Sequence, residues 1–144
     1  ATFKVTAGST LGAVTLKYSK SGGVSSQYDD PSPSSSVISI TGTIRVSDSL
    51  PGTFTPNQVS PVITVSTTPL TVGAVLNFII TTSGAAVSVS PSATLTFFGG
   101  ESSKTFTITT GAGAGSFTLS FTKDGSAASS YSASSPSSIT ASVI

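Results

Sequence analysis

Five side chains in this sequence could act as carboxylate acids or bases: Asp29, Asp30, Asp48, Glu101 and Asp124. The 144 residues contain neither histidine nor cysteine. A Ser–His–Asp triad is therefore ruled out, and so are a thiolate nucleophile, a disulfide and a zinc site built on sulfur or imidazole. What remains is paired-carboxylate chemistry, in which one carboxyl donates a proton while another attacks or activates water. The five acids sit in predicted turns, however, where Asp commonly hydrogen-bonds its own backbone. Asp29-Asp30 is an adjacent pair, but calcium takes roughly six to eight oxygens and no loop here is rich enough in acids. The expectation is a protein that is not an enzyme and holds no metal or cofactor.

Asn77 lies inside an apolar stretch, Val75-Leu76-Asn77-Phe78. In some surface pilins a buried Asn is linked covalently to a Lys with help from an acid. A strand Asn on the solvent face is the plainer reading. Gly111-Ala112-Gly113-Ala114-Gly115 has the composition of a phosphate-cradling loop. The segment after it alternates as a strand, so no helix N-terminus follows to bind an anion, and a flexible hairpin connection is expected. Asparagine-linked glycosylation is excluded by pattern, because neither Asn57-Gln58-Val59 nor Asn77-Phe78-Ile79 carries the hydroxyl residue that it needs.

The elements that must carry these residues follow from composition and period. Hydrophobic residues make up 37% of the chain and charged residues only 8%, while 31 Ser and 23 Thr supply the polar surface. An average globular domain carries about 25% charged residues, so this surface is hydroxylic rather than ionic. Val, Ile, Thr and Phe are abundant, which suits half-buried pleated strands and argues against disorder. The net charge is +1 and the six basic residues are scattered. No patch could hold a nucleic-acid backbone. No apolar run approaches the roughly 20 residues of a membrane span, and no signal peptide is visible. A chain opening Ala1-Thr2-Phe3 without Met reads as a processed or trimmed product.

Period-two alternation recurs along the chain. Val14, Leu16 and Tyr18 alternate with Thr15, Lys17 and Ser19. Ile38, Ile40, Ile44 and Val46 share a face with Gly42, opposite Thr41, Thr43 and Arg45. Further strands are expected at 59–66, 74–82, 86–90, 94–98, 104–109 and 116–122. Gly22-Gly23, Leu50-Pro51-Gly52, Gly99-Gly100 and Asp124-Gly125 separate them as turns. Short strands at this spacing predict an all-β, antiparallel sandwich.

An internal repeat organises the whole. Residues 1–41 align without gaps on residues 104–144, with 16 of the 41 positions identical. Half of the identities are neither Ser nor Thr: Phe3/Phe106, Gly8/Gly111, Gly12/Gly115, Leu16/Leu119, Lys20/Lys123, Gly22/Gly125, Tyr28/Tyr131 and Pro33/Pro136. The repeating unit is therefore about 103 residues, the size of an immunoglobulin-like domain. Residues 42–144 make one complete unit, and residues 1–41 only the last part of another. So small a fragment cannot bury its own apolar face. Phe3, Val5, Val14, Leu16 and Tyr18 form the expected assembly interface. Either a neighbouring copy completes it, or the sequence is a window of a longer array.

Two tracts occupy equivalent places in the repeat: Pro31-Ser32-Pro33-Ser34-Ser35-Ser36 and Ser134-Ser135-Pro136-Ser137-Ser138. Six of the eight prolines follow Ser or Thr. Such tracts are expected to be extended and solvated. They resemble the Ser-Pro glycomodules of algal and plant hydroxyproline-rich glycoproteins, and mucin-like stalks. The resemblance implies covalent glycans on these Ser, or on hydroxylated Pro. The run from Val87 to Phe97, followed by Lys104–Thr109, is similar to a strand pair of extracellular immunoglobulin-like domains. A partial unit beside a complete one resembles fibre subunits that share strands with a neighbour. Together these resemblances imply an immunoglobulin-like β-sandwich with an additional partial repeat. They also imply an extracellular or cell-surface role as the self-assembling, O-glycosylated subunit of a filament. The alternative is an adhesin or carbohydrate-binding module, for which Tyr28 and Tyr131 are the available aromatic platforms.

Overall fold

The computed structural model describes every residue except Ala1, Ala7, Ser9 and Asp48. Asp48, one of the five acids, thus lies outside the described residues. The chain divides into two compact units, Ala1–Thr41 and Gly42–Ile144.

The larger unit is an all-β sandwich. Its strands are β3 (Gly42–Val46), β4 (Thr53–Phe54), β5 (Ile63–Thr67), β6 (Val75–Gly84), β7 (Val87–Ser90), β8 (Thr94–Phe98), β9 (Ser103–Thr110), β10 (Gly115–Asp124), β11 (Tyr131–Ser135) and β12 (Ser138–Val143). One sheet runs β4-β12-β10-β6-β8, the other β11-β3-β5-β9-β7. All pairings are antiparallel except β11 with β3 and β4 with β12. Alternation places one face of every long strand inward, where successive side chains must point oppositely. Phe117, Leu119 and Phe121 of β10 meet Leu76, Phe78 and Ile80 of β6, and Ile63, Val65, Phe106 and Ile108 close the core from the other sheet. Phe78 stacks on Phe121 with ring centroids 5.3 Å apart. Each such side chain contributes roughly 1.5–3 kcal/mol when fully buried.

The smaller unit is a single antiparallel pair, β1 (Gly12–Lys17) with β2 (Ser35–Ile40). The alternation that runs from Ile38 to Val46 is interrupted at Thr41. β2 ends at Ile40 and β3 begins at Gly42, because the two halves pair with different strands, β1 on one side and β5 and β11 on the other.

Two connections differ from expectation. The run 87–97 is divided between sheets: β7 pairs with β9, and β8 pairs with β6. The Gly111–Gly115 segment is an arch between the sheets rather than a hairpin, since β9 and β10 belong to different layers. Gly111 donates to Ala86 O at 2.7 Å, which ties the arch to the β6–β7 corner.

Candidate assembly interface

Asn77, Asp124, Glu101 and Asp30 have structural partners. The Asn77 amide donates to Asp124 Oδ1 at 2.7 Å, and its carbonyl accepts from Thr96 Oγ1 at 2.8 Å. These three side chains share the outer face of adjacent strands β10, β6 and β8, so the Asn serves the sheet surface and is hydrogen-bonded to an acid and a hydroxyl, with no Lys among its partners. Glu101 accepts from Phe98 N at 2.8 Å and pairs with Lys104 at 3.1 Å, closing the β8–β9 turn. That backbone bond, then the lysine, hold its carboxyl below the usual range. Asp30 pairs with Lys20 at 3.1 Å on the surface. Among the described residues no three His, Cys, Asp or Glu gather in a way that could hold a metal ion.

The Ser-Pro tracts are corners rather than extended spurs. Ser134 and Ser135 end β11, Ser138 opens β12, and Pro136-Ser137 carries the chain from one sheet to the other. Ser135, Ser137 and Ser138 are exposed, whereas the Ser134 hydroxyl is buried without a partner. In the first tract Ser32, Pro33, Ser34 and Ser35 are exposed and Pro31 and Ser36 half-buried, with Ser35 and Ser36 inside β2. Exposed hydroxyls thus stand at the equivalent place in each copy, directly ahead of the paired strands β2 and β12.

The repeat recurs in three dimensions. β1 and β2 pair from Gly12↔Ile40 to Lys17↔Ser35, and β10 and β12 pair from Gly115↔Val143 to Ser120↔Ser138. Residue for residue this is the same register. Tyr18 N donates to Ser34 O at 2.9 Å, and Phe121 N to Ser137 O at 3.0 Å. A 3-10 turn stands at Ser25–Gln27 in one copy and at Ala128–Ser130 in the other.

Burial is where the copies part. Phe3 is 70% exposed and its counterpart Phe106 1%; Tyr28 is 67% exposed and Tyr131 4%. Val5, Val14, Val24 and Ile38 are exposed too, against buried Ile108, Phe117, Ala127 and Ala141. Leu16 and Tyr18 are half-buried. Phe3 leans on Tyr18 with centroids 6.0 Å apart, a contact that covers part of the face. Val5, Gly8, Val14, Ile38 and Ile40 line a shallow apolar groove. Of the five residues singled out by sequence, Val5 and Val14 line this groove and Phe3 packs on Tyr18. Period two put Ile38 and Ile40 on a face with Ile44 and Val46 and did not reveal Val24 and Tyr28; the repeat alignment joins all four to this set, because each of their counterparts is a core residue.

Tyr131 donates its hydroxyl to Thr68 O at 2.7 Å, and burial pushes its pKa up. It is a core residue and offers no platform for stacking a sugar. No family model, curated protein or solved structure matches the chain. Among the described residues no helix is long and apolar enough to cross a membrane.

Proposed function

We propose that the protein is a structural subunit of an extracellular, O-glycosylated filament, assembled head-to-tail by sharing β-strands between neighbours. One observation carries this reading: residues 1–41 have the sequence and strand register of the buried half of a sandwich, yet their core-type face is open. Burying several large apolar side chains contributes several kcal/mol, from which ordering and association costs are subtracted. A protrusion that fits one surface and leaves its own equivalent on the next copy generates an open, heterologous polymer. Shared strands add main-chain hydrogen bonds to that apolar gain. The hydroxyl-rich, weakly charged exterior fits a coat of covalent glycans, because low net charge by itself favours precipitation. The exposed hydroxyls at the Pro33 and Pro136 corners are the sites proposed for it.

Removing residues 1–41 tests the assembly. The remaining 42–144 should stay folded and monomeric, and should form no filaments under electron microscopy. Normal filaments from the truncated chain would refute strand sharing. The adhesin alternative keeps Tyr28 as its one exposed tyrosine, and predicts monomers that bind a glycan array.

A further inference from the structure

Resting on the strand-sharing reading, we infer that the open face of residues 1–41 receives a polypeptide block of the 42–103 type, in a register that the larger unit already displays. The repeat specifies the occupant. Within residues 42–144, everything that covers the counterpart half comes from 42–103. β6 flanks β10 on its free side from Phe117↔Gly84 to Asp124↔Asn77. β4 flanks β12 at Ser142↔Thr53 and Val143↔Phe54. Thr68 accepts from Tyr131. Shifted back by one repeat, these contacts pair Thr15 with Ser83, Leu16 with Thr82, Lys17 with Thr81 and Ile40 with Phe54, and bring Tyr28 to Thr68.

A glycine gives independent support. Gly111 has no left-handed backbone that would favour glycine, but a Cβ there would stand 2.9 Å from Ala86 Cβ and 3.1 Å from Ala86 O. Its glycine is needed because the block is close. The repeat counterpart Gly8 also lacks a left-handed backbone, and nothing lies within 4 Å of its hypothetical Cβ. The unit thus keeps a clearance that it does not use on its own. Clearance at that point is what a docked Ala86 equivalent requires. Gly125 and Gly22 show the same contrast in space, Val75 O standing 2.6 Å from a Cβ on Gly125 while the space around Gly22 is open, but both also have a left-handed φ that favours glycine by itself.

The block cannot be the chain's own 42–103, which already holds 104–144. In any group of these chains there are two fitting halves for each block. The face therefore takes a 42–103-type block from a polypeptide whose own C-terminal half is not seated there.

The test is a chain in which a second copy of residues 42–103 is joined directly ahead of residue 1, so that its end meets Ala1 as Ser103 meets Lys104. Residues 12–17 and 35–40 should then gain amide protection equal to that of 115–120 and 138–143. With Lys17→Cys and Thr81→Cys on the added block, a disulfide should form. The shifted pair, Thr15→Cys with the same Thr81→Cys, should stay reduced. Gly8→Ala should leave the original chain's melting unchanged and lower the melting temperature of the added domain. Unchanged exposure of 12–17, or equal oxidation of the shifted pair, would overturn the inference. A separate arm guards against misfolding of the longer chain: the original chain with Lys17→Cys, mixed with a 42–103 polypeptide carrying Thr81→Cys, should cross-link, and absence of cross-linking in both arms also overturns it. The filament reading fails separately. If the added block seats in register but the chain still polymerises, the pairing stands and strand sharing falls.

Discussion

Residues 1–41 and 104–144 run the same experiment twice, once without a partner block and once with it. Both copies form the inner strand pair in the same register, with the same 3-10 turn between. Only the second forms strands at 103–110 and 131–135. In the first copy the matching stretches, around Phe3–Thr6 and Tyr28–Ser32, lie outside any strand. β10 continues to Asp124, whereas β1 stops at Lys17, and the extra length of β10 is paired to β6 alone. A strand is thus written into the sequence only as far as its hydrogen-bonding neighbour is present. The alternating pattern supplies the face, and the neighbour supplies the ladder.

Paired substitutions break or sharpen this comparison. The largest contrast is expected for leucine. Leu119→Ala should cost about 2–5 kcal/mol in urea unfolding, because it opens a cavity in a closed core. Leu16→Ala should change the unfolding of 42–144 negligibly while weakening polymer formation. Equal losses from both would erase the distinction between the copies.

Glycine comes next. Gly125 has φ +97° and would place a Cβ against Val75 O, so Gly125→Ala combines backbone strain with overlap. A loss of about 2–4 kcal/mol is expected by thermal unfolding. Gly22→Ala, at φ +120° in open space, carries the strain term only, and acts on the smaller unit.

A smaller effect is expected at the tyrosines. Tyr131→Phe leaves Thr68 O without its donor, a loss of about 1–3 kcal/mol. Tyr28→Phe should leave the dispersed chain's melting unchanged. The raised pKa of Tyr131 also has a sign: its contribution is full below the ordinary tyrosine pKa and is lost as pH rises through the folded value. Alkaline melting curves of Tyr131→Phe should lack that component.

The smallest is Glu101. Its carboxyl is depressed, so its contribution is present above the ordinary carboxylate pKa and is lost as pH falls through the folded value. The side chain is exposed to solvent and paired with Lys104, so the effect is a slight acid shift of the melting midpoint that Glu101→Gln removes.

The all-β class and most long strands were legible, since Phe117, Leu119 and Phe121 alternate in a way no helix would bury. β8 falls at 94–98 as expected. β11 was not legible: Tyr131-Ser132-Ala133-Ser134-Ser135 has one large apolar residue and gains its place from parallel pairing with β3. β4 spans two residues, beneath any periodic signal. Sheet assignment was equally hidden. Nothing local tells Gly111–Gly115 to arch between layers, where it is anchored to Ala86, a residue distant in sequence at the β6–β7 corner. Of the candidate interface, the Val14, Leu16 and Tyr18 face was readable from period two. Tyr28 required the repeat, because it sits in a Ser-rich stretch where alternation is weak, and the repeat was also needed to join Ile38, whose face period two had linked to Ile44 and Val46, to the same interface.

Amide hydrogen exchange on native assembled material, compared with the dispersed chain, tests the central claim most directly. In the dispersed chain the amides of β1 facing away from β2 should exchange quickly, while those of β10 paired to β6 are slow. Wherever a 42–103-type block seats on residues 1–41, the account predicts that the outward amides of β1 become as protected as those of a seated β10, with Thr15 and Lys17 matching Thr118 and Ser120. Assembled filaments in which β1 exchanges as fast as in the free chain would contradict it.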